Sequence, residues 1–212
     1  MQLVFEAYDY AISNLDKFWD ALLQHLLLVG VPLTIGLLVG LPLGLWSARS
    51  QLASSLLINS FNALRVIPSL AVLFIAIPYF GLSFQSAALA LTLLVMPPIL
   101  ISTDVAFRGI DPMIREAAVG MGLSAGQILR QIEVPLALPV IIAGVKTAAV
   151  EVIASATLAA FIGAGGLGDF VVLGFAAYDN AILLVGAVPV ALLALLVEVS
   201  LSRLQKAVQP PI

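Results

Sequence analysis

The chain has 212 residues, of which 62% are hydrophobic and only 10% charged, with a mean hydropathy of +1.15. A soluble domain of this size carries about 45–50% apolar and about 25% charged residues, so the solvent for much of this chain must be lipid. The absence of cysteine excludes a disulfide framework, thiolate metal sites and cysteine nucleophiles, and within the net charge of −3 no basic run points to nucleic acid.

In chain order, the N-terminus is acidic (Glu6, Asp9, Asp16, Asp20) and lacks the positive start of a signal peptide, so it reads as mature structure. Five apolar stretches follow, each long enough for the roughly 20 residues that cross a bilayer as helix. The first runs from about Leu22 to Trp46 and ends at Arg49. The second runs from about Leu56 to Phe80 and turns around Gly81 to Ser83 into the third, from about Phe84 to Asp104, which closes with Met96-Pro97-Pro98. The fourth runs from about Leu138 to Ile162 and the fifth from about Ala181 to Leu201. Period-two alternation is absent, which argues against a membrane β-barrel. The expectation is an all-α, polytopic transmembrane bundle that forms one domain over residues 1–212.

Lys and Arg near span ends favour the cytoplasm. With the N-terminus outside and the C-terminus inside, Arg49, Arg108, Arg115, Arg130, Arg203 and Lys206 fall inside and only Lys17 remains outside. Arg65 and Lys146 then lie near the inner ends of the second and fourth spans.

One substantial internal loop, from about Ala106 to Ala137, separates the third and fourth spans. Asp111 followed by Pro112 reads as a helix start, with a short helix over Met113–Met121 broken at Gly122. Ser124 with Gln127 three positions on has the capping-box pattern and starts a second helix, expected to end before Pro135. Two short helices joined at a glycine make a knob that a partner can grip. The bland reading is an amphipathic loop with a solvated charged face.

Glu116-Ala117-Ala118, three residues, Gly122, nine residues, Ile132, one residue, then Val134-Pro135 resembles the EAA loop of the permease subunits of ATP-binding cassette importers. The family pattern has leucine where this chain has Val134. The resemblance covers nearly the whole chain, from about Trp19 to Ala207. Arg65-Val66-Ile67-Pro68-Ser69-Leu70-Ala71, the stretch from Arg115 to Gly122, and Ala160 to Asp169 look most like permeases for glycine betaine, choline, carnitine and similar osmoprotectants. Methionine-type permeases share parts of these stretches, so an amino-acid substrate stays open.

The resemblance implies a multi-pass protein of the bacterial inner membrane in which the loop docks into a cleft of a separate ATPase subunit. It also implies a second permease subunit, identical or not, and an extracytoplasmic solute-binding protein. ATP and Mg then belong to the ATPase, and this chain has no cofactor and no catalytic residue. No G-x-x-x-x-G-K-[ST] occurs, so no phosphate-cradling loop is present. The implied mechanism is alternating access, with ATPase closure pushing the Glu116–Pro135 loop.

Gly163, Gly165 and Gly168 spell G-x-G-x-x-G, with Gly166 between them, but the strand and crossover helix of a dinucleotide site are missing. This segment reads as a tight turn at the outer end of the fourth span, either where a loaded binding protein docks or as structure alone. Gly36, Gly40 and Gly44 form a small-residue stripe, read first as packing within the subunit and second as a dimer seam. Ionisable groups inside spans default to functional candidates. Glu151 either lines the translocation path with Arg65 beside it, or only pairs with Arg65 or Lys146. Asp104 and Arg108, four apart, read as a helical ion pair. His25 is the only histidine, which excludes a metal site built from several imidazoles. Aromatics are only 8% of the chain and no cage for a quaternary ammonium stands out. An ATP-independent transporter or channel is the alternative class, but the internal repeat it predicts is absent.

Overall fold

In a medium without water, each backbone N–H and C=O must be satisfied within the segment itself, which leaves helices as the form for apolar stretches of this length. The computed structural model describes residues 2–209, and every element among them is helical. In chain order these are α1 (Gln2–Ser13), α2 (Leu15–Arg49), α3 (Gln51–Val66), α4 (Ser69–Phe80), α5 (Phe84–Arg108), α6 (Pro112–Gly120), α7 (Ala125–Ile128), α8 (Val134–Ala156), α9 (Gly168–Ala177) and α10 (Asn180–Ala207). A π segment, Leu129–Glu133, joins α7 to α8, and a 3₁₀ turn, Thr157–Ile162, closes α8.

The centre of the bundle is α5, packed between α2 and α8, with α10 on the far side of α8. Gly36, Gly40 and Gly44 lie buried on one stripe of α2, directly against Val95, Ile99 and Thr103 of α5. The stripe is therefore packing within this subunit. Opposite it, Gly144 of α8 lies against Ser102 and the Pro98 carbonyl of α5. The main core fills the space between them with Leu28, Leu91, Val95, Ile99, Val152 and Ile162.

Four helices are long and apolar enough to cross a membrane, and α3 with α4 makes a fifth crossing if the pair is taken as one. That pair corrects the second span. Residues 56–80 are not one straight helix, because α3 and α4 are bent by 98° about Ile67 and Pro68. A residue before proline is pushed out of the helical region, and Ile67 is extended at φ −76°, ψ 124°.

The third helix does not close at Met96-Pro97-Pro98. It carries both prolines, buried, within α5 and continues to Arg108. The second loop helix does not end before Pro135 either. It runs from Ala125 through the π segment into α8, so its chain from residue 125 onward belongs to the fourth crossing. Proline lacks an N–H and its ring crowds the carbonyl four residues back. A wide π turn directly before Pro135 relieves that crowding, and Val134 N–H reaches the Leu129 carbonyl instead. Both α1 and α9 are additional to the expected elements, and both pack against α10.

Candidate functional site

The loop between α5 and α8 is assembled locally. Asp111 Oδ1 accepts from the Met113 N–H at 2.8 Å, and Pro112 opens α6 where its missing N–H costs nothing. Helix α6 is exposed at Glu116 and Ala117 and buries only Ala118. Met113, Val119 and Met121 are exposed beside Glu116, an apolar surface around one carboxylate. Gly122 reverses the chain at φ +82°, a left-handed conformation that side-chain-bearing residues rarely adopt. Its N–H bonds Val119 O and the Leu123 N–H bonds Ala118 O, which closes the last turn. Beyond it, the Ser124 N–H donates to Gln127 Oε1 at 2.8 Å and starts α7.

The motif thus divides in two. Glu116, Ala117 and Gly122 are exposed on the knob, while Ala118 is buried beneath it. Ile132 is half-buried, and Val134 and Pro135 are exposed along the helical column that leads into α8.

Under the knob lies a charged network that sequence reasoning found only in part. The expected Asp104–Arg108 pair is present. Arg108 Nε donates to both carboxylate oxygens at 3.0 Å, and the Ser47 hydroxyl donates to Oδ1 at 2.7 Å. Arg108 Nη2 also reaches the Ser47 carbonyl at 2.7 Å. The unexpected member is Glu133, with 1% of its side chain exposed, held by Arg115 of α6 and Arg49 at the end of α2. The signal that could have found it is a carboxylate two positions before a proline at the start of an apolar span. Its partners stand 84 and 18 positions away, beyond the reach of any spacing rule.

Glu151 and Arg65 do meet, at 3.8 Å, on the open side of α8 and α3. Lys146 pairs with Glu198 at 3.0 Å instead, with Ser202 beside them. The cleft next to Arg65, lined by Leu64, Ser69, Leu91, Leu94 and Pro97, measures about 30 Å³. That is room for one water and not for a solute.

At the far end of α8, Gly163, Gly165 and Gly166 all have positive φ, at 67°, 76° and 88°. Only Gly163 is exposed. Gly165, Gly166 and Gly168 are buried against Gln24 and His25 of α2 and the Thr157 carbonyl. Gln24 Nε2 donates to Ala164 O at 2.7 Å and ties the turn to α2. His25 is buried beneath it, and no group of metal-binding side chains exists among the described residues.

Residues 40–212 match the family described as the binding-protein-dependent transport system inner membrane component. The chain belongs to this family. The permease is 39% identical over 187 residues to the carnitine transport permease protein OpuCB of Listeria monocytogenes, covering 88% of this chain and 86% of that one. It is 34% identical to the glycine betaine/carnitine/choline transport system permease protein OpuCB of Bacillus subtilis over the same shares. It is also 34% identical to the osmoprotectant import permease protein OsmW of Salmonella typhimurium, over 95% of this chain and 96% of that one. Among solved structures, a chain of the MetNI methionine transporter in an inward-facing conformation superposes with a TM-score of 0.79 at 23% identity, covering 92% of the permease and 98% of that chain. That likeness shows the fold. The protein is a multi-pass transport subunit of an ATP-binding cassette importer and not an enzyme, because ATP hydrolysis in this family resides in a separate subunit.

Proposed function

We propose that the permease imports a quaternary-ammonium osmoprotectant such as glycine betaine, choline or carnitine. The observation that carries this is its 34–39% identity, over 88% of the chain, to permeases named for these solutes. The cleft beside Arg65, at about 30 Å³, is far too small for such a solute. The exposed apolar residues of α3 and α4, among them Leu52, Leu56 and Ile75, suit contact with lipid or with a second permease subunit. The path in this reading runs between two permease subunits, with the exposed pair Glu151 and Arg65 on its wall.

The N-terminus lies outside and the C-terminus inside, supported by Arg49, Arg108, Arg115 and Arg130 gathering at the loop end of the bundle. The loop is then cytoplasmic. Its exposed Glu116, Ala117 and Gly122 receive the ATPase, with Ala118, Ile132, Val134 and Pro135 forming the base that carries the push. Two ATPases and an external binding protein complete the assembly, with Gly163 the one glycine of the Gly163–Gly168 turn exposed toward the binding protein and the others holding the turn on α2 and the end of α8. Differential affinity of ATP for the two arrangements drives alternating access, because a ligand that favours neither state shifts nothing.

The test is uptake of labelled glycine betaine by cells that lack other betaine importers, supplied with the permease and its neighbouring subunits. The expected result is uptake that an excess of unlabelled methionine does not compete and that deletion of the Gly122 region abolishes. Absence of betaine uptake with all subunits in the membrane overturns the substrate. Uptake that survives the deletion overturns the coupling.

A further inference from the structure

Three separate parts of the chain converge on one carboxylate. Glu133 ends the π segment that leads into α8, Arg49 is the last residue of α2, and Arg115 lies in the middle of α6. Arg115 Nε donates to Glu133 Oε1 at 2.6 Å, and Arg49 Nη2 donates to Oε2, so each oxygen is taken by a different helix. Arg115 Nη2 also donates to the Phe107 carbonyl at 2.7 Å, in the last turn of α5. The carboxylate is almost wholly buried, whereas Arg49 and Arg115 are 44% and 31% exposed.

The rest of α6 is loosely attached. Ala118 is its only buried residue, and Arg115 supplies its only side-chain hydrogen bonds to the spans among the described residues. Beside this contact an open groove of about 430 Å³, lined by Arg49, Arg115, Val119, Ile128, Leu129 and Glu133, leaves part of the space between α6 and the helical column unfilled. A push on α6 through its apolar contact at Ala118 alone would be partly absorbed by that space. The ionic contact is not absorbed, since a buried carboxylate strongly resists losing a partner. The π segment is what makes the contact possible. Each helical residue turns the chain by about 100°, so inserting one residue at Leu129–Glu133 re-aims Glu133 relative to an uninterrupted α-helix.

We propose that Glu133 is a positioning residue that links the loop to the spans, so that displacement of α6 reaches α2 and α8 together through the Arg115–Glu133–Arg49 contact. This rests on the reading that the loop receives the ATPase. The contact sets how much transport each hydrolysed ATP produces, not whether the complex assembles.

The experiment uses the complete importer in proteoliposomes and measures solute imported per ATP hydrolysed. Arg115→Gln is the first variant, because Glu133 keeps Arg49 and no buried charge is stranded. Arg49→Gln is its mirror, and Glu133→Asp tests rescue by a carboxylate of different reach. The expected result for both arginine variants is retained assembly and ATP hydrolysis with import per ATP down about 10-fold, inside the range of ordinary coupling between sites. Glu133→Asp should recover part of the import that Glu133→Gln loses. Import per ATP that is unchanged in both arginine variants overturns the proposal, as does a complex that is merely less stable with that ratio intact. Glu116→Arg separates the two readings. If it leaves ATPase association untouched, the docking assignment fails on its own. If it abolishes association while Arg115→Gln imports normally, docking stands and the role of Glu133 falls.

Discussion

A β-carbon added at Gly44 would lie 2.5 Å from Cβ of Thr103, so α2 and α5 touch backbone to side chain at that point. Rotation of the Thr103 side chain cannot relieve this, because its Cβ is fixed by the backbone of α5, and the Leu100 carbonyl lies 2.8 Å away as well. Gly44→Val should therefore overpack the seam and destabilise the subunit by about 1–3 kcal/mol. Gly30, also on α2, has nothing within 4 Å, so Gly30→Ala should be neutral or stabilising by up to about 1 kcal/mol. Thermal unfolding of the purified permease compares the two, and equal shifts would mean that α2 and α5 do not meet through this stripe.

At Gly122 the same substitution acts through a different cause. No atom lies within 4 Å of a β-carbon there, but φ is +82°. Gly122→Val should cost roughly 1–2 kcal/mol of backbone strain, and Gly122→Asn clearly less, since Asn tolerates the left-handed region. Co-purification of the ATPase should follow the same order, with glycine best and valine worst. A valine variant that binds the ATPase as well as the parent would show that the turn's geometry is not needed for docking.

The chain's membrane helices were legible because hydropathy reports how long a segment stays apolar. It does not report which way the segment points. Residues 56–80 read as one span although the chain turns by 98° at Ile67 and Pro68, and the dipeptide itself was the available signal. The third span, expected over about Phe84 to Asp104, is α5, which carries Pro97 and Pro98 buried within it because α2 and α8 pack on both sides. Helix α1 mixes polar and apolar residues and α9 has only 10 residues, so neither produces a span-length signal. The EAA spacing located the loop, and the four-residue spacing located Asp104 with Arg108. Glu133 stayed hidden because its two partners come from distant parts of the chain, and only folding brings them to it.

Asp104 gives a stability test of that charged base. Its side chain is 4% exposed and depends on Arg108 and the Ser47 hydroxyl. Arg108→Ala strands the carboxylate and should cost toward the lower end of the ~3–5 kcal/mol seen when one partner of a buried pair is removed. Adding Asp104→Leu to that variant should recover much of the loss, because an apolar replacement of the whole pair is often tolerated. The check is the melting temperature of the double variant, which must lie above that of Arg108→Ala alone.

The Arg65–Glu151 contact is of another kind. At 3.8 Å, with 48% and 37% of the two side chains exposed, it is too open to hold the fold together. Exposed pairs contribute about 0–1 kcal/mol, so a double-mutant cycle of Glu151→Gln and Arg65→Gln on thermal stability should return a coupling in that range. Transport is expected to respond differently. If Glu151 lines the path between two permeases, its charge meets a cationic headgroup, and Glu151→Gln should raise the KM for choline uptake while the amount of folded importer stays constant. A larger coupling in stability with an unchanged KM would reverse the assignment. The pair would then be a structural contact, and the wall of the path would have to be sought elsewhere on the exposed faces of α3, α4 and α8.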